Sequence, residues 1–163
     1  MLNIQKDDTY YMRMALGLAN LAFAADEVPV GCIIVSQDGT VIGRAHNQVE
    51  TLKDATAHAE MIALTQAQAF KGSKWLNGCS VYVTIEPCLM CTGAFILARV
   101  SKICFGAFEH RTGALGSMLD SMQLEVNHRF TVTSSVLEAE CAYLMQDFFR
   151  KKRNTSGDLS DCG

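Results

Sequence analysis

Two short stretches constrain this chain more than any others: Thr56-Ala57-His58-Ala59-Glu60 and Glu86-Pro87-Cys88-Leu89-Met90-Cys91. Together they offer one imidazole, two thiols and a spare carboxylate. Three nitrogen and sulfur ligands with a fourth position left open is how a catalytic zinc is held, whereas a structural zinc takes four protein ligands. Any fold of this chain that uses both stretches must bring them to one point.

Taken singly, each part has a plainer reading. A Cys-x-x-Cys can be a redox pair or half of a structural zinc site. His58 alone reads as a core or surface histidine, and Glu60 alone as a solvated helix residue. The combination is far more specific, because His-x-Glu followed by Pro-Cys-x-x-Cys is the signature of zinc nucleobase deaminases. In that chemistry His58, Cys88 and Cys91 hold one zinc, which lowers the pKa of water to roughly 7. Glu60 is the catalytic proton carrier. It takes the water's proton, passes it to a ring nitrogen, and then protonates the departing amine.

The 163 residues fit one domain, expected over residues 1–153 with a polar tail at 154–163. A chain 49% hydrophobic and 19% charged has a core to build and is not a disordered one. No apolar run reaches the ~18 residues of a membrane span, and the polar start, Met1 to Tyr10, does not read as a secretory signal. Of seven cysteines, five (Cys32, Cys79, Cys104, Cys141, Cys162) lie outside the motif, which fits free thiols in a reducing cytoplasm. The net charge of −3 gives no general nucleic-acid footprint. One basic run, Arg150-Lys151-Lys152-Arg153, reads equally as a solvated helix end or as a contact for phosphates.

Along the chain, helical spacing of Tyr11, Met14, Ala15, Leu18 and Ala22 predicts a helix over about 8–25, with Asp7, Asp8 or Thr9 as its cap. Val30–Val35 and Val41–Ala45 read as antiparallel strands around an Asp38-Gly39 turn. A helix over 57–70 follows, placing His58 and Glu60 in its first turn, with its positive end aimed at the metal. Val81–Ile85 reads as a buried strand, and Pro87 as the first position of a helix over about 88–98. Lys102–Ala107 is a fourth strand, Arg129–Ser134 a fifth entered in parallel, and Val136 to about Lys152 a closing helix. This order predicts an α/β fold, with a mixed five-stranded sheet between helices in a three-layer α/β/α sandwich.

From about Thr9 to Arg153 the chain resembles the bacterial tRNA-specific adenosine deaminases. Beyond the zinc motifs the resemblance rests on Val28-Pro29-Val30-Gly31, Asn47, Thr84-x-Glu86-Pro87-Cys88-x-Met90-Cys91-x-Gly93-Ala94 and Phe105-Gly106-Ala107. It continues through Thr112-Gly113-Ala114-x-Gly116-Ser117, Asn127-His128-Arg129 and Phe148-Phe149-Arg150. It implies a cytidine deaminase-like fold, one zinc per chain, a homodimer, and conversion of adenosine to inosine at wobble position 34 of an arginine tRNA. The partner would be the anticodon stem-loop. The resemblance further implies substrate contacts at Asn47, Ala59, Glu109, Phe149, Arg150 and Arg153. Asn47 would bond the flipped base, although by itself it reads as a turn residue. Phe149 reads equally as a helix-packing side chain. The chain departs from the family at Glu109, where Asp is usual, at Ala55, where Pro is usual, and at His46, where a large aromatic is common.

Two other readings stay open at this point. One is deamination of a free nucleobase or nucleotide of the guanine or cytosine type. The other is a zinc-stabilised binding module without turnover.

Overall fold

The computed structural model describes residues 6–157. Helix α1 (Asp8–Ala24) starts where Asp7 accepts the backbone N–H of Tyr10 at 2.8 Å, relieving one unpaired donor of the first turn. Strands β1 (Gly31–Val35) and β2 (Val41–His46) pair antiparallel. Gly39 turns between them with φ 84°, a conformation glycine adopts without a Cβ clash. A one-turn helix α2 (Val49–Leu52) follows, then α3 (Ala59–Lys71), β3 (Ser80–Ile85), α4 (Leu89–Ala98) and β4 (Lys102–Ala107). A 3₁₀ turn (Ser121–Gln123) precedes β5 (Thr131–Thr133) and α5 (Glu138–Gly157).

The five strands lie in the order β2-β1-β3-β4-β5. β1 runs antiparallel to both neighbours, while β3, β4 and β5 are parallel, so the sheet is mixed. Its residues alternate between two apolar cores. Cys32, Ile34, Val81, Val83, Ile103 and Phe105 pack with residues of α3 and α4. Ile33, Val35, Tyr82 and Cys104 pack with residues of α1 and α5. Helices thus cover both faces, which is why the central strands read as nearly continuous apolar runs. Phe95 and Phe105 are fully buried, and burial of a side chain of that size stabilises by about 1.5–3 kcal/mol. On the α1 side, Asp8 accepts from Tyr82 Oη at 2.9 Å and from Lys102 Nζ at 2.7 Å, tying the first helix to β3 and β4.

Several details differ from the sequence expectation: α3 starts at Ala59 with His58 as its N-cap, outside the first turn, and the fifth strand is only Thr131–Thr133. Pro87 is not the first residue of α4. Its carbonyl accepts the N–H of Ala114 at 2.9 Å, and Cys88, in extended conformation, is the N-cap. α5 starts at Glu138 instead of 136, because Ser135 and Leu137 have φ of 63° and 54° and break any helical turn there. It then runs through residue 157, beyond the expected end near Lys152 and the 153 boundary of the domain. The rest of the expected tail, with Cys162, lies outside the described residues.

Candidate active site

Two helix starts converge. His58 is the N-cap of α3 and Cys88 the N-cap of α4, both in extended backbone conformation. Cys91 follows in the first turn of α4 and Glu60 in the first turn of α3. The first N–H groups of a helix have no intrahelical partner, and their end of the helix carries positive partial charge. Two such ends facing one point favour thiolates and any other anion there.

Nδ1 of His58 lies 3.7 Å from Sγ of Cys88 and 3.6 Å from Sγ of Cys91, and all three atoms fall within 4.8 Å of one another. A tetrahedral zinc, with bonds of about 2.3 Å to sulfur and about 2.0–2.1 Å to nitrogen, sets such ligands roughly 3.6 Å apart. The donor set and its spacing therefore fit zinc. A hydrogen bond from the Cys91 thiol, acting against burial and helped by His58, holds the Cys88 thiol down to about 4. The same contact and burial push Cys91 up.

Glu60 is 3% exposed, and burial pushes its carboxyl above the usual range, partly opposed by His58. It lines a cavity of about 300 Å³ together with His58, Cys88 and Asn47, at the small end of ligand-binding pockets. Val28, Val30, Val49, Ile85 and Met145 give this cavity apolar walls, and Glu27, Glu50, Glu86, Glu109 and Thr112 add to its polar lining.

The residues expected to meet substrate fall into distinct places. Asn47 follows β2 and is 7% exposed, its backbone N–H fixed by Val30 O at 3.0 Å. Its side-chain amide makes no hydrogen bond among the described residues, which leaves it available to the cavity. Ala59 is fully buried and its methyl belongs to the apolar core. What it can offer the site is the backbone of the first turn of α3. Glu109 lines the cavity, while its carboxylate accepts the N–H of Arg111 at 2.9 Å. Phe149 and Arg153 lie in a neighbouring groove of about 560 Å³, which shares Ile85, Glu109, Thr112 and Met145 with the first cavity. The two spaces are therefore neighbours that share a wall.

The basic run is divided. Arg150 pairs with Asp147, and Lys151 reaches the same carboxylate at 3.3 Å while lying 4.6 Å over the Phe23 ring. Lys152 pairs with Asp26. Arg153 is the member of the run that lines the groove.

The sequence reading gave no role to Glu27, Glu86, Thr112 or Met145. Glu86 and Thr112 lie inside the motifs that carry the family resemblance. Glu27 and Met145 carry no spacing signal that sets them apart from core residues.

The family model for the cytidine and deoxycytidylate deaminase zinc-binding region matches residues 5–107. The tRNA-specific adenosine deaminase of Aquifex aeolicus (strain VF5) is 44% identical over 146 residues, covering 89% of this chain and 95% of that protein. The enzyme of the same description from Bacillus subtilis (strain 168) is 43% identical over 147 residues, 90% of this chain and 91% of that protein. A solved structure from work on A-to-I editing by tRNA:A34 deaminases at the wobble position of transfer RNA superposes with a TM-score of 0.81. It is 37% identical, covering 83% of this chain and 99% of that one. The guanine deaminase of Nitrosomonas europaea has the same fold, with a TM-score of 0.71 at 24% identity, over 90% of this chain and 86% of that one.

Proposed function

The chain belongs to the tRNA-specific adenosine deaminases of the zinc-binding cytidine and deoxycytidylate deaminase family, and from that premise we propose how its own residues act. The reaction is hydrolytic deamination of adenosine to inosine in tRNA. A carbon–oxygen bond to water forms at C6 of the purine, the carbon–nitrogen bond breaks, and ammonia leaves. The observation that carries this assignment to the cavity is the close set of His58, Cys88 and Cys91 with buried Glu60 beside it.

His58, Cys88 and Cys91 would hold one zinc. When bound, zinc supplies Lewis acidity that makes water a nucleophile near neutral pH. Glu60, not needed as a ligand, accepts the proton of the attacking water, delivers it to a ring nitrogen and later protonates the leaving amine. Burial suits it to both steps, because a carboxyl held above its ordinary range gives and takes protons more evenly near neutrality. Asn47 presents its amide to the edge of the base. The apolar walls, Val28, Val30, Ile85 and Met145, accept the faces of the ring and exclude bulk water.

A base inside a stack cannot reach this cavity, so the target nucleotide is flipped out while its flanks are held elsewhere. The groove carrying Phe149 and Arg153 is the place for those flanks, with an aromatic face for stacking and a cation for phosphate. Glu109 and Thr112, on the shared wall, lie where the sugar of the flipped nucleotide would pass. We assign the substrate as the wobble adenosine of an arginine tRNA anticodon.

We also place a second copy of the chain on the α3–α4 face. Leu97 is 80% exposed there, Leu89 and Phe70 are exposed as well, and Trp75 and Leu97 line a groove of about 720 Å³. Apolar patches of this kind mark interaction surfaces. Outside the zinc site, Cys32, Cys79, Cys104 and Cys141 are buried free thiols, which suit the reducing cytoplasm. No helix among these residues is long and apolar enough to cross a membrane.

The test is ammonia release from a panel of tRNA transcripts and free nucleobases. Turnover of tRNA-Arg with none of guanine, cytosine or adenine supports the assignment. Turnover of free bases with none of tRNA overturns it.

A further inference from the structure

Glu86 is 2% exposed and has no salt-bridge partner among the described residues. Its carboxylate is met by donors from a single segment, residues 109–117. Oε1 accepts the N–H groups of Leu115 at 2.9 Å and Ser117 at 3.0 Å. Oε2 accepts the N–H of Glu109 at 3.1 Å and the hydroxyl of Ser117. A buried carboxylate without a counter-cation is costly unless its lone pairs are filled, and here four donors fill them.

The segment is wrapped tightly around this group. A Cβ on Gly113 would stand 2.3 Å from Oε2 of Glu86, so glycine is required for the approach. The same segment contributes Glu109 and Thr112 to the cavity. Its second anchor is the backbone of the metal-ligand stretch: Ala114 N–H donates to Pro87 O at 2.9 Å, and Gly113 forms a bridge with Cys88. The wall bearing Glu109 and Thr112 is therefore located relative to Cys88 by the Glu86 side chain and the Pro87 carbonyl acting together.

We propose that Glu86 is a positioning residue, whose carboxylate sets the 109–117 wall of the cavity at a fixed distance from the metal ligands and so determines how tightly the substrate is held. Its consequence for turnover rests on the deaminase reading above. Its consequence for the wall does not.

The experiment compares wild type with Glu86→Gln, which keeps the shape but leaves one acceptor oxygen and turns an NH₂ group towards N–H donors. Ser117→Ala, which removes only the hydroxyl donor, is the milder second variant should the first fail to fold. Amide hydrogen exchange, zinc content and steady-state kinetics on an anticodon stem-loop are measured on each. In Glu86→Gln the amides of Glu109, Leu115 and Ser117 should exchange at least about tenfold faster, with those of β1 and β3 unchanged. Zinc content should match wild type. KM should rise about tenfold or more with kcat within about threefold, because the wall binds substrate and does not carry protons. Ser117→Ala should move the same readouts in the same direction by less. Unchanged exchange at the three amides overturns the proposal, as does an equal rise in the strands. A fall in kcat at constant KM also overturns it, since that is the mark of a partly unfolded population. If wild type fails to turn over the stem-loop, the functional reading falls, and the exchange measurement still decides the role of Glu86.

Discussion

Sγ of Cys91 lies 3.6 Å from Nδ1 of His58, although the two residues are 33 apart in the chain. The pair meets because α3 and α4 begin close together, on N-cap residues His58 and Cys88 whose side chains make no capping hydrogen bond, with Cys91 one turn into α4. A ligand in that position is left free for a metal.

Removing any of the three ligands should therefore remove metal and activity together. Cys88→Ser, Cys91→Ser and His58→Ala are expected to purify with well under one zinc per chain and no measurable deamination. A serine hydroxyl is mostly protonated and a poor substitute for thiolate at about 2.3 Å. Metal analysis of the purified variants is the check. Full zinc with wild-type turnover in any one of them would remove that residue from the ligand set.

Arg153 and Arg150 should separate in RNA binding. Arg153 lines the groove next to Phe149, while Arg150 is paired with Asp147. Arg153→Gln is expected to weaken stem-loop binding and flatten the log–log salt dependence by roughly 0.7, one phosphate contact on a single strand. Arg150→Gln should change the slope less. Phe149→Ala should cost about 1–3 kcal/mol of affinity if a base stacks on it. Titrations across a salt series decide it, and equal slopes for both arginine variants and wild type would rule out the groove as the phosphate path.

Leu97→Glu should interrupt self-association. Leu97 is 80% exposed in the isolated chain, and a charge at the centre of a buried apolar contact is costly. Light scattering is expected to give twice the chain mass for wild type and the chain mass for the variant. A wild-type monomer would remove the second copy from the account of this face.

The stability of the fold should depend on Asp8 in a definite pH window. Burial raises its carboxyl, but hydrogen bonds from Lys102 and Tyr82 outweigh that and leave it below its ordinary range. A carboxyl lowered in the folded state stabilises above its unfolded pKa and loses that contribution as pH falls through the folded value. Asp8→Asn should therefore cost about 1 kcal/mol at pH 7, discounted for partial exposure, and almost nothing well below the carboxylate range. Urea unfolding of both proteins at several pH values tests this, and a difference that grows towards acid would contradict it.

The residues proposed to carry the chemistry are legible in the sequence because their pattern is local. His58 and Glu60 are two apart and Cys88 and Cys91 three apart, each pair within one helix turn. The sheet was legible for a similar reason, since strands buried on both faces announce themselves as apolar runs between turns. What stayed hidden depends on distant partners. Glu86 looks like any residue beside a motif until the backbone donors of Leu115 and Ser117, 29 and 31 positions away, are seen to surround it. Glu27 is likewise defined by the N–H groups of Glu50 and Thr51, which it accepts at the start of α2. That helix, a single turn, is too short for periodicity to show. The basic run read evenly between two roles because Asp26, which pairs Lys152, lies 126 residues away.

In the proposed mechanism this cavity converts adenosine to inosine in tRNA, with Glu60 moving the protons. The most direct measurement sequences the tRNA anticodon after incubation with wild type or Glu60→Ala, with zinc measured on both proteins, since inosine is read as guanosine. Wild type is expected to change A to G at the wobble position. Glu60→Ala should retain its zinc and lose at least about 10²–10⁴-fold in rate, the usual worth of general acid–base catalysis. Inosine formed by Glu60→Ala at a near wild-type rate, or no inosine formed by zinc-loaded wild type, would contradict it.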